Sequence, residues 1–238
     1  MKENIVLTAG DGHVLPAYRI TPAAAPRGQL VVLHEFFGLN DHIRNVADRF
    51  AALGYAAIVP GLSDRAEPGA EFGYDPSGIA AGHALRARIP IADSLLDAQA
   101  AIDFVKPFGK VGVVGYCWGG SLAFYSATRL RGLTCAVGYY GSQIVAGAHE
   151  IPNVPTMLHF GDIDGSIPLS DVEKIRQARP DVSIHVYPGR HGFNCDARSN
   201  YEPGSAQIAL GRTLELFWKH VGKRTRGSRP WGPASTQY

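Results

Sequence analysis

The 238 residues, 45% hydrophobic and 18% charged, belong to a folded globular chain rather than a disordered one, and the length suits one large α/β unit better than two small domains. A formal net charge of +2 gives no mandate for nucleic acid, and neither a cationic leader nor an apolar run of bilayer length is present, so a cytoplasmic chain without membrane contact is expected. Three cysteines is an odd count, which in that compartment predicts reduced thiols rather than a disulfide framework.

Residues 5–8 and 14–20 alternate as a hairpin around Asp11-Gly12, whose glycine supplies the positive φ of a tight turn, and they predict an antiparallel edge. After a loop rich in Pro and Ala, 29–34 reads as a strand covered on both faces. Apolar residues at 43, 46, 47, 50 and 53 give helical spacing, with Asn40 or Asp41 as N-cap and Gly54 as terminator. Residues 56–59 form the next buried strand. Patterning weakens over 60–90, a long excursion with one short helix at 79–88, of the kind that shapes binding sites.

Beyond it follow a helix at 91–105, a strand at 110–115, a helix at 121–130 and a strand at 134–140. A strand at 155–160, a helix at 170–178, a strand at 182–187 and a closing helix at 207–220 complete the pattern. Strands alternating with helices predict a mostly parallel, doubly wound sheet of about eight strands in a single α/β domain over 1–222. The basic tail 223–238 is expected to be mobile.

Gly115-Tyr116-Cys117-Trp118-Gly119-Gly120 joins a strand directly to a helix. A nucleophilic residue flanked by glycines at such a junction is the nucleophile elbow of the α/β-hydrolase fold, here with Cys in place of Ser. That fold places an acid and then a histidine after later strands. The loop after 155–160 offers Asp162 and Asp164, and the loop after 182–187 offers His191. Cys117 is therefore the expected nucleophile, His191 the proton carrier and Asp164 its orienting acid, with Asp162 read as turn chemistry.

The loop at His34-Glu35-Phe36 follows an earlier strand, so the backbone N–H groups of Phe36 and Trp118 are the expected oxyanion-hole pair, each worth about 3 kcal/mol. Glu35 is a candidate for taking the thiol proton, with pairing to an arginine or helix capping as the alternatives. Gly38 stands where a zinc His-Glu-x-x-His motif needs its second histidine, and the Asp162 loop lacks the remaining calcium ligands, so no metal is expected. Cys135 reads as core packing, and Cys195 as a possible oxidative partner of Cys117.

Together, His34-Glu35-Phe36-Phe37-Gly38-Leu39-Asn40, the cysteine elbow, Gly138-Tyr139-Tyr140-Gly141 and His191-Gly192-Phe193 make the chain resemble the dienelactone hydrolases, also called carboxymethylenebutenolidases. The resemblance implies a Cys117-His191-Asp164 triad with a role for Glu35, no cofactor, and a cysteine that becomes a thiolate when substrate arrives. It also implies opening of an enol-lactone to a dicarboxylate of the maleylacetate type, with arginines gripping the substrate carboxylate. Arg86, Arg88 and Arg198 lie in suitable neighbourhoods, and Arg86, Arg198 and Tyr140 are the expected substrate contacts. The expected partner is a small anionic lactone or ester, and the expected state a monomer. A general carboxylesterase of the same fold, or a non-catalytic small-ligand-binding protein, are the competing readings.

Overall fold

Two antiparallel crossings open the sheet. β1 (Lys2–Thr8) pairs with β2 (Val14–Ile20), and β2 in turn pairs antiparallel with β4 (Ala56–Pro60). The remaining strands are β3 (Gln29–Leu33), β5 (Val111–Tyr116), β6 (Leu133–Tyr139), β7 (Thr156–Gly161) and β8 (Ser183–Tyr187). The sheet order is β1-β2-β4-β3-β5-β6-β7-β8, and from β4 onward all neighbours are parallel. This computed structural model describes residues 1–222, and the tail expected at 223–238 lies outside the described residues. No described helix is long and apolar enough to cross a membrane.

β3, β4 and β5 are buried at every position, as strands covered by helices on both sides must be. α1 (Asp41–Ala52) and α6 (Pro203–His220) lie together on one side, where Phe50 meets Phe217 at a ring separation of 6.0 Å. α3 (Ile91–Val105) and α4 (Trp118–Arg129) pack together on the other. α2 (Pro76–Arg86) sits within the excursion, and α5 (Leu169–Ala178) links β7 to β8. The architecture is the α/β-hydrolase fold, and its parallel register leaves the carboxyl ends of β3, β5, β7 and β8 at one edge.

Asn40 is the N-cap of α1, one of the two caps expected, its Oδ1 accepting the Ile43 N–H at 3.2 Å. Other helices start ahead of the sequence pattern. α6 begins four residues ahead of 207. Pro203 suits a first turn in which its missing N–H has no acceptor anyway, and the Glu202 carboxylate accepts from Gly204 and Ser205. Asp75 caps α2 through the Gly78 N–H, drawing that helix forward to Pro76.

The excursion is anchored by Arg65. Its guanidinium donates twice to Asp97 of α3, at 2.8 Å from both Nε and Nη2, and at 2.8 Å to Asp11 in the β1–β2 turn. Asp97 is fully buried, and burial outweighs the nearby guanidinium to push its carboxyl up to about 6. A folded-state pKa above the usual 3.8 means that Asp97's contribution to stability is present in full below 3.8 and lost as pH rises through about 6. Arg65→Ala strands that carboxylate and is expected to cost about 3–5 kcal/mol at pH ~8, and clearly less at pH ~5, where Asp97 takes up a proton. Urea denaturation at the two pH values checks this; equal losses would contradict it.

Candidate active site

β5 delivers Cys117 into a backbone conformation that L-residues rarely adopt, φ 53° and ψ −113°, before α4 starts at the next residue. A non-glycine residue held there stores about 1–3 kcal/mol of strain. Three backbone hydrogen bonds hold it: the Cys117 N–H donates to Tyr139 O at 3.0 Å, Ser121 N–H to Cys117 O at 3.1 Å, and Gly119 N–H to His34 O at 3.1 Å. Such closeness requires glycine. A Cβ on Gly115 would lie 1.8 Å from Gly119 O, and one on Gly119 would lie 2.1 Å from Leu33 O. Those glycines therefore belong inside the packing of α4, which is why the helix begins three residues ahead of the pattern at 121–130.

At the mouth of the sheet, His191 Nε2 stands 3.1 Å from Cys117 Sγ, and His191 Nδ1 stands 2.9 Å from Asp164 Oδ2. Asp164 is buried, and its other oxygen accepts from Ser166 and Ile167 N–H at 2.8 and 3.2 Å, so both lone-pair sets are committed. Asp162 instead accepts from Gly189 N–H at 2.9 Å, tying the two loops together without touching the imidazole. Burial opposes a charge on His191, but the Cys117 sulfur and the Asp164 carboxylate beside it prevail and raise its pKa to about 10. The imidazolium is thus the favoured form. Cys117 is also the N-cap of α4, which places the positive end of that helix next to the sulfur.

Phe36 and Trp118 flank the same sulfur, and among the described residues neither backbone N–H has an acceptor. Glu35 is buried, with Oε1 3.5 Å from Arg198 Nη1 and Oε2 unpartnered. The hydrogen-bonding partner of Cys117 Sγ is His191 rather than Glu35. Arg198 also lies over the Phe37 ring, 5.6 Å from its centre. Cys195, whose thiol is pushed up to about 12 by burial and by the Glu35 charge, is free, as are Cys117 and Cys135.

A cleft of about 590 Å³ opens above Cys117 and His191. Among the described residues, Arg86, Arg190 and Arg198 line it and no Asp or Glu does. Arg88 points elsewhere, donating to Ala66 O at 2.7 Å. Tyr140 does not line the cleft: it is 1% exposed, adopts φ 38°, and sits behind His191 with its ring edge-on at 5.1 Å. The contact expected between Tyr140 and substrate is therefore replaced by one that supports the imidazole. Ile79, His83 and Arg86 reach the cleft from one face of α2, a spacing of four and three that the sequence displays but does not aim. Arg190 and Asn200 had no such signal. Asn200 holds the loop by donating to His191 O at 3.0 Å.

The family model for the dienelactone hydrolase family matches residues 15–221. A Synechocystis protein provisionally named as a carboxymethylenebutenolidase is 35% identical over 239 residues, covering 91% of this chain and 96% of that one. The carboxymethylenebutenolidase of Pseudomonas putida is 32% identical over 228 residues, with the same coverage of 91% and 96%. A Klebsiella pneumoniae crystal structure, provisionally named as a dienelactone hydrolase, superposes with a TM-score of 0.80 at 30% identity, covering 92% of this chain and 100% of that one.

A histidine whose folded pKa exceeds its unfolded 6.5 contributes stability that is full below 6.5 and lost as pH rises through about 10. Wild type is therefore expected to lose denaturation free energy between those values relative to His191→Gln, which has nothing to titrate there. Parallel pH profiles for the two proteins would contradict the ion pair.

Proposed function

The chain belongs to the dienelactone hydrolase family, a carboxylic ester hydrolase family, and from that premise we propose that it opens a small anionic enol-lactone through a covalent Cys117 intermediate. The observation that carries this reading is the unbroken chain Asp164–His191–Cys117, at 2.9 and 3.1 Å, opening into a cleft lined by arginines and no carboxylates.

The Cys117 thiolate attacks the ring carbonyl carbon, and the carbonyl π electrons move onto oxygen, where the free N–H groups of Trp118 and Phe36 receive them. Collapse expels the ring oxygen as an enolate and leaves a thioester on Cys117; the enolate then takes the proton of the His191 imidazolium and becomes a ketone, which leaves His191 neutral for the next step. Water attacks the thioester as His191 takes its proton, and the sulfur leaves as thiolate with a carboxylic acid released. Asp164 holds the imidazole in the tautomer that aims Nε2 at the sulfur.

Sulfur chemistry narrows the substrate. The tetrahedral intermediate expels its better leaving group, and a thiolate, from an acid of pKa about 8.5, leaves far more readily than an alkoxide. With an alkyl ester the adduct reverts. An enolate or phenolate, nearer pKa ~10, competes. Arg86, Arg190 and Arg198 supply the attraction for a substrate carboxylate. Glu35 is assigned the thiol proton at the moment substrate arrives, and its buried Oε2 is unpartnered.

Turnover of cis-dienelactone and of p-nitrophenyl esters by wild type and Cys117→Ala tests the reading. Dienelactone opening that falls at least ~10³-fold in the variant is expected. Ester turnover without dienelactone turnover would instead assign a general carboxylesterase, and no turnover of either a binding protein.

A further inference from the structure

His34 is buried, with 1% of its surface exposed, and it takes no part in the proton path between Asp164, His191 and Cys117. Both ring nitrogens are nevertheless committed. Nδ1 lies 2.5 Å from the Glu35 carbonyl oxygen, which can only accept, so Nδ1 carries the hydrogen. Nε2 accepts the Leu62 N–H at 3.0 Å and must be bare. The two partners impose one neutral tautomer, and burial, which lowers the histidine pKa to about 4, keeps it neutral.

The Glu35 carbonyl that receives Nδ1–H belongs to the peptide unit whose other end is the Phe36 N–H. That unit is planar and trans, with its C=O and N–H directed to opposite sides, so fixing one fixes the other. The His34 backbone acts in the same way on the neighbouring donor. Its carbonyl accepts the Gly119 N–H in the first turn of α4, one residue past Trp118. Leu62, which anchors the far side of the ring, opens the short 3-10 turn Leu62–Arg65, and Arg65 is clamped to Asp97 and Asp11. The ring is thereby braced against the excursion as well as against the oxyanion loop.

We propose that His34 is a positioning residue that sets the direction of the Phe36 N–H, through the Glu35 carbonyl, toward the oxygen that gains charge in the transition state. This rests on the reading of Cys117 as nucleophile and of Phe36 and Trp118 as the oxyanion donors.

Asn and Gln separate the two ends of the ring. An Asn amide nitrogen falls near the place of Nδ1 and still donates to the Glu35 carbonyl, whereas a Gln amide falls near Nε2 and keeps only the Leu62 partner. His34→Gln is expected to lower kcat about 10²-fold, with KM within about threefold. His34→Asn is expected to keep kcat within about tenfold of wild type. A trifluoromethyl ketone, which forms an oxyanion adduct with a thiolate, should bind His34→Gln more weakly by the same factor as kcat, while binding of a product carboxylate stays unchanged.

Equal kcat losses in the two variants, a loss confined to KM, or an Asn variant below about 1% of wild-type kcat would overturn the proposal. Equal ketone affinity in all three proteins would overturn it while leaving the nucleophile reading intact. Failure of wild type to form any adduct would overturn both.

Discussion

The backbone of Cys117 is the constraint on which the site depends. At φ 53° the chain turns from β5 into α4 within one residue, and only this sharpness puts the sulfur beyond the sheet, at the N-terminus of a helix and beside the end of β3. The strain persists because its surroundings over-determine it. Gly115 and Gly119 allow backbone to meet backbone where any Cβ would collide, and the bonds to Tyr139 and His34 tie the turn to the strands on either side. A looser turn would displace the sulfur from His191 and separate the Trp118 and Phe36 amides together. Nucleophile position and oxyanion geometry thus share one mechanical origin.

Charge is arranged around that turn in two layers. Inside lies the sulfur, with His191 and the doubly anchored Asp164, a grouping that favours the imidazolium and so suits a thiolate. Outside lie three arginines along a cleft in which no described residue contributes a carboxylate, an arrangement that favours a bound anion. Glu35 stands between the layers, buried and reaching Arg198 with one oxygen only. Arg198 is thus shared between the buried Glu35 and the open cleft.

Most of this was legible in the chain order. Cys117, Asp164 and His191 each follow a strand, and the carboxyl ends of parallel strands gather at one edge of the sheet. The preference for Asp164 over Asp162 followed from loop position, and the distances separate the two residues in the same way. Helix starts were less legible. Glycines in α4 and the Pro-Gly pair in α6 look like breakers in sequence, yet one set is demanded by close packing and the other tolerated in a first turn. Least legible was the direction of side chains in irregular segments. Tyr140, Arg88 and His34 take their orientations from tertiary partners far away in the chain, such as Leu62 for His34, and no local pattern encodes such partners.

The central claim is that hydrolysis passes through a covalent bond to one sulfur atom. Rapid acid quench of the enzyme during turnover of cis-dienelactone, followed by mass spectrometry of its peptides, measures this directly. A thioester adduct with the mass of the opened lactone is expected on the peptide carrying Cys117, and neither Cys135 nor Cys195 should be modified. Steady turnover with Cys117 unmodified throughout, or an adduct on another residue, would contradict the covalent path.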